Sequence, residues 1–151
     1  MTFKEKIIQE YFKLTKWLDF FSPIAELAIR IVIARVFLES GLVRIDNMNS
    51  TIWLYANEYK VPFISPVIAA YLGTAIELTF PILLVLGLFG RLSALVLLGM
   101  NVVIVTCYAG IPVEAVENHI LWALILLMFF LRGTGKLSID YWIRKKVSNN
   151  A

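Results

Sequence analysis

Glu77 is an acid inside an otherwise apolar run, VIAAYLGTAIELTFPILLVLGLF, and ionisable groups in such runs turn away from lipid to mark a site, a pathway or an interface. Arg30, Arg35 and Glu39 sit in the apolar stretch IAELAIRIVIARVFLESGLV, Asn101 in a third run and His119 at the start of a fourth. A glutamate, an arginine and a histidine at graded depth are groups that could pass protons to and from a bound molecule. A charge at the centre of a span costs at least about 2.5 kcal/mol, so each of these residues needs a compensating partner. Glu26 with Arg30, and Arg35 with Glu39, are spaced as i,i+4 helical pairs.

The elements that must hold these groups are membrane helices. Hydrophobic residues make up 60% of the 151, and the mean hydropathy of +0.78 is that of an integral membrane protein. Spans are expected at roughly 24–43, 66–88, 92–109 and 114–131, giving an all-α, antiparallel four-transmembrane-helix bundle in a single domain, 1–151. The fourth must start near Val113, because the twelve apolar residues from Ile120 to Leu131 make only about 18 Å of helix. Residues 3–20 read as an amphipathic interfacial helix, closed by the Ser22 cap and Pro23 that open the first span. A short basic amphipathic helix follows the turn GTGK near the C-terminus. Between the first two spans, Ser50 or Thr51 is placed to cap a small helix with an aromatic face through Tyr59. Trp53, Tyr55, Tyr59, Tyr108, Trp122, Tyr141 and Trp142 read as interfacial aromatics rather than a cofactor box.

Charge sets the expected orientation. Lysines and arginines gather on the side that carries both termini, which the positive-inside rule makes cytoplasmic. No signal peptide is expected ahead of the first span. Because the basic residues flank spans, nucleic-acid binding is excluded, and the partners expected are the lipid bilayer and a protein or a second copy. With Cys107 the sole cysteine and His119 the sole histidine, no disulfide, metal cluster, haem or iron–sulfur centre is expected, so any redox cofactor is borrowed.

Counting 1.5 Å per residue from the cytoplasmic end puts Arg35, Glu77 and Asn101 in one layer at about 15 to 18 Å, with Glu39 and His119 above it and Arg30 below. At 100° per residue, Arg30 shares a face with Phe37, Gly41 and Arg44, and Arg35 and Glu39 lie on another. Either the Arg35 and Glu39 face meets a partner, or Arg30 turns outward and snorkels.

Seven stretches in register resemble the DoxX family of small four-span bacterial membrane proteins. They are RIVIARVFLESGLVRI with Arg30, Phe37, Ser40, Gly41 and Arg44, then EYKVP at 58–62, AAYLGTAIEL at 69–78, Pro81, GLFGRLSAL at 87–95, NHILW at 118–122 and GTGKLSID at 133–140. The EYKVP loop is most similar to the subgroup found beside metal-stress and peptide-maturation genes. The family takes its name from a thiosulfate:quinone oxidoreductase, and other members are linked to oxidative-stress complexes. The resemblance singles out Arg30, Arg44, Glu58, Glu77 and His119 without assigning catalysis. Arg44 stands where lysine is common, and Thr134 in a turn often written G-P-G.

The function expected is therefore an accessory inner-membrane subunit of a quinone-linked redox or metal and oxidative-stress system. Its lipophilic ligand would lie near Glu77, Arg30, Arg35, Glu39, Asn101 and His119, with Arg44, Trp53, Tyr55 and Glu58 in a periplasmic loop facing a partner. The alternatives are a non-catalytic anchor or assembly partner for a peptide-maturation or oxidoreductase complex and, with less support, a small transporter.

Overall fold

Burial along the chain follows the helical repeat so regularly that residues 31–39, 71–79 and 91–99 carry the same pattern of buried and exposed positions. These stretches each turn one stripe inward at i, i+1 and i+4, such as Ile33, Ala34 and Phe37, or Ser93, Ala94 and Leu97. A computed structural model describes residues 3–108 and 110–150. The expected end of the third span, residue 109, lies outside the described residues.

The described chain is all-helical: α1 (Phe3–Asp46), α2 (Met48–Asn57), α3 (Pro66–Leu86), α4 (Gly90–Cys107), α5 (Val113–Arg132) and α6 (Ile139–Asn149). Among them α3, α4 and α5 are long and apolar enough to cross a membrane. α1 and α3 run in opposite directions, since Arg30 of α1 meets Leu84 and Val85 of α3 while Arg44 meets Glu77. Asn101 of α4 meets His119 of α5.

α1 departs from the expected pair of helices. Pro23 does not break it, and one 44-residue helix, about 66 Å by the α-helical rise, runs from Phe3 to Asp46. Proline removes a single backbone hydrogen bond, and the helix formers Ala25, Glu26 and Leu27 follow it within the next turn. The arm before residue 24 leaves Trp17, Phe20 and Phe21 exposed.

α2 begins one turn earlier than expected. Asn47 is its cap, accepting from the Ser50 amide at 3.0 Å, while Thr51 instead donates its hydroxyl to the Arg44 carbonyl at 2.9 Å. That bond ties α2 to the end of α1.

Two apolar cores fill the interior. Ile33 and Phe37 of α1, Leu84 of α3, Ala94 and Leu97 of α4, and Leu126 and Phe129 of α5 form the first. Tyr55, Tyr59, Ala69, Ala70, Met100 and Ile104 form the second, under α2. The helices approach closely at Gly41, where an added Cβ would lie 3.0 Å from Glu77 Cβ and 3.1 Å from the Glu77 backbone.

The opposite end, where α3 turns into α4, is closed by polar bonds. Gly87 ends α3 at φ +64°, a conformation that favours glycine, and an added Cβ there would meet Ser138. Asp140 caps α4 from α6, accepting from the Phe89 amide at 3.0 Å and the Gly90 amide at 2.7 Å.

Candidate functional site

Arg44 is the residue around which the buried polar groups gather. Its Nη1 donates to Glu77 Oε1 at 2.8 Å and to the Tyr55 hydroxyl at 3.1 Å, and its Nη2 reaches the Tyr59 hydroxyl at 3.5 Å. Glu77 is fully buried and Arg44 is 8% exposed, so the pair is removed from water. The Arg44 guanidinium also lies 5.6 Å from the Tyr55 ring centroid and 5.7 Å from that of Tyr59, within cation–π range.

Each partner is brought there by its element. The α1 stripe that buries Phe37 and Gly41 continues one turn to Arg44, and the α3 stripe through Gly73 and Thr74 continues to Glu77. Gly73 leaves the space that the Tyr55 hydroxyl occupies, since an added Cβ would collide with it. The three tyrosines stack: Tyr55 on Tyr59 with centroids 5.0 Å apart, and Tyr59 on Tyr108 at 4.8 Å. An isolated antiparallel bridge between Tyr59 and Tyr108 joins the segment after α2 to the end of α4.

Two features leave the site unfinished. Glu77 Oε2 is buried without a well-formed hydrogen bond, although Ser40 stands beside the carboxyl. Arginine has no acceptor, so the Tyr55 and Tyr59 oxygens accept from Arg44 and keep their own O–H protons to donate. Burial pushes the Tyr55 phenol up to about 12 and that of Tyr59 upward as well, despite the opposing pull of the Arg44 charge, so both stay protonated donors across the neutral range.

Beside the site, Tyr55 and Gly73 also line an apolar cleft of about 280 Å³ between α3 and α4, with Val61, Ile64, Ile76 and Gly99. An added Cβ at Gly99 would meet nothing within 4 Å.

The remaining residues singled out from sequence fall into separate groups. Arg30 is fully buried and donates to the carbonyls of Leu84 at 3.3 Å, Val85 at 2.7 Å and Leu137 at 2.6 Å, tying α1 to the end of α3 and the segment before α6. It makes no ion pair with Glu26, among the described residues. Arg35 and Glu39 pair at 2.6 Å on the outer surface, with their side chains 76% and 60% exposed. Asn101 and His119 form a reciprocal pair: Asn101 Nδ2 donates to the His119 carbonyl at 2.9 Å, and its Oδ1 lies 2.7 Å from His119 Nδ1. Because Oδ1 only accepts, Nδ1 carries the proton and Nε2 the lone pair.

Of the expected loop residues, Arg44 and Tyr55 turn inward to Glu77, Trp53 is exposed, and Glu58 interacts with the Tyr108 hydroxyl. Reading Tyr55, Tyr59 and Tyr108 as interfacial aromatics needs correction, because they stack on one another, two of them against a buried ion pair. The available signal was their closeness in sequence to Arg44: Tyr55 and Tyr59 lie 11 and 15 residues on, in a segment that packs mainly against α3.

Against known proteins, the DoxX family model matches residues 25–109. An uncharacterized protein of Haemophilus influenzae is 30% identical over 136 residues, which covers 82% of this chain and 86% of that protein. No solved structure matches. The family-model match contains Arg30, Arg44, Tyr55, Tyr59, Glu77 and Asn101.

Proposed function

The chain belongs to the DoxX family of membrane proteins, and from that premise we propose that it is a four-span accessory subunit that receives a quinone-class ligand beside the Arg44 and Glu77 pair. The fourth span is residues 24–43 of α1, the membrane is the bacterial inner membrane, and both termini are cytoplasmic. Arg35 and Glu39 pair with each other and Arg30 with carbonyls, which lowers the cost of carrying these groups through lipid.

The observation that carries the ligand reading is the placement of Tyr55. It lines the apolar cleft and bonds Arg44 at 3.1 Å, so a ring in the cleft has an uncommitted phenolic donor at one end. The cleft, at about 280 Å³, suits one substituted ring, with a tail leaving past Ile64 and Leu72 towards lipid. These residues fit a quinone: apolar walls for the ring and a hydroxyl for a carbonyl oxygen. A quinone brings reversible two-electron, two-proton exchange. The chain's own part is to orient the ring, donate from Tyr55 and hold a proton at Glu77, whose Oε2 lacks a well-formed bond. Electrons come from a partner in a redox or metal and oxidative-stress system.

The test is binding of a short-chain ubiquinone analogue to the purified chain. Gly99→Phe fills the cleft from an unoccupied direction and is expected to abolish binding while leaving the fold intact. Unchanged binding in Gly99→Phe would place the ligand elsewhere.

A second reading, an anchor or assembly partner, draws on the Arg35 and Glu39 pair. An exposed ion pair at mid-membrane depth is poorly served by lipid, and the same face carries exposed Ile31, Val32, Leu42 and Val43. A protein helix covers that face in this reading. Replacing both charges with leucine is then expected to release the co-purifying partner without altering quinone binding; retention of the partner would remove this reading.

A further inference from the structure

Gly133 ends α5 at φ +87°, and its missing side chain exposes a patch of backbone over which two arginines converge. A Cβ at that position would lie 3.5 Å from Arg91 Nε and 4.0 Å from both Arg91 Nη2 and Arg144 Nη2. Arg91 belongs to the first turn of α4 and Arg144 to α6, so two elements bring like charges to one point.

Among the described residues no ion pair neutralises either arginine, and Arg144 Nε makes only a long 3.4 Å bond to the Asp140 carbonyl. The Asp140 carboxylate lines the same cleft but spends its oxygens on the amides of Phe89 and Gly90, beyond ion-pair distance of either arginine. Two guanidinium groups beside this one carboxylate leave a net positive charge that an incoming anion offsets.

Apolar side chains surround the charges. Phe89, Leu92 and Ile143 line the same cleft of about 370 Å³ and are 63%, 52% and 51% exposed. α6 continues the surface with exposed Trp142 and Val147 beside Lys145 and Lys146, the pattern of a helix lying in a membrane interface. A free phosphate would satisfy the arginines and leave the three apolar side chains in water. A phosphate that carries acyl chains satisfies both.

We propose that Arg91 and Arg144 clamp the phosphate of an anionic phospholipid, whose acyl chain lies along Phe89 and Leu92 where α4 enters the membrane. The site is separate from the cleft at Tyr55 and does not depend on the quinone reading. A bound lipid there fastens α6 to the α3–α4 turn, the same joint that Asp140 and Arg30 hold from within.

The test is native mass spectrometry of the full chain in detergent, titrated with phosphatidylglycerol, with phosphatidylcholine, and with inorganic phosphate as competitor. The wild type is expected to retain phosphatidylglycerol in preference to phosphatidylcholine, and R91Q/R144Q to bind it more weakly by roughly an order of magnitude or more. K4Q/K6Q removes the same net charge from the α1 arm and is expected to keep the preference. R91Q alone guards against a folding defect, since the Arg91 side chain makes no hydrogen bond within the described chain. Equal phosphatidylglycerol binding by wild type and R91Q/R144Q, or an equal loss in K4Q/K6Q, would overturn the clamp. Displacement of the lipid by inorganic phosphate at comparable concentration would also overturn it, assigning the arginines to a soluble anion.

Discussion

Arg44 and Glu77 form a buried pair whose value lies in being complete. Removing one partner leaves an uncompensated charge, which costs about 3–5 kcal/mol, whereas replacing both with apolar residues is often neutral. Arg44→Met and Glu77→Leu are each expected to lower the thermal midpoint in detergent, and the double variant to recover most of the loss. Additive losses would mean that the two side chains do not act as a pair. Tyr55 gives a separate readout at the same site. Its phenol titrates near 12 in the folded protein against an ordinary value of 10, so between those values the native state binds more protons than the unfolded state. The Tyr55 contribution is thus fully present below about pH 10 and is lost as pH rises through about 12. Phenolate absorbance should show a late-titrating tyrosine that Tyr55→Phe removes; identical titrations in the two proteins would contradict its burial. Glu77 could be found in the sequence, because a lone acid in an apolar span needs a partner. Arg44 was not identified as that partner, since depth by helical rise put it beyond the first span, and rise takes no account of a side chain long enough to reach back one turn.

At the scale of elements, the inward stripes explain why the helices were legible: alternation at i, i+1 and i+4 survives in α1, α3 and α4 without tertiary information. The facing of Arg30 inward and of Arg35 outward follows from the same stripe, which resolves the two orientations the angles left open. The continuity of α1 through Pro23 was not legible, because a serine and proline pair signals a helix start whether or not a helix already precedes it. Close approach is the further property that pattern alone does not reveal. Gly41 sits against the backbone at Glu77, so Gly41→Leu is expected to push α1 from α3 at a cost of about 1–3 kcal/mol and to separate Arg44 from Glu77. Gly99→Leu, at an open position of α4, should leave the thermal midpoint nearly unchanged. Equal destabilisation by the two substitutions would mean that the α1–α3 contact is not the tight one.

For the whole molecule, the two ends perform different tasks. The end holding Arg30, Gly87, Asp140 and the Arg91 and Arg144 pair is bound together by backbone carbonyls and caps, whereas the end under α2 holds the ion pair, the stacked tyrosines and the cleft. With residues 24–43 as a fourth span, both termini lie on one side, and reporter fusions at the N- and C-terminus are expected to give the same cytoplasmic signal; opposite signals would remove that span. The measurement that decides most about the ligand site is labelling of the full chain by a photoreactive short-tailed benzoquinone, followed by mapping of the modified peptide. The modification is expected within residues 61–76 or 96–103, and to be lost in Gly99→Phe and reduced in Tyr55→Phe. Labelling confined to the Arg35 and Glu39 face, or insensitive to both substitutions, would contradict the assignment of the cleft.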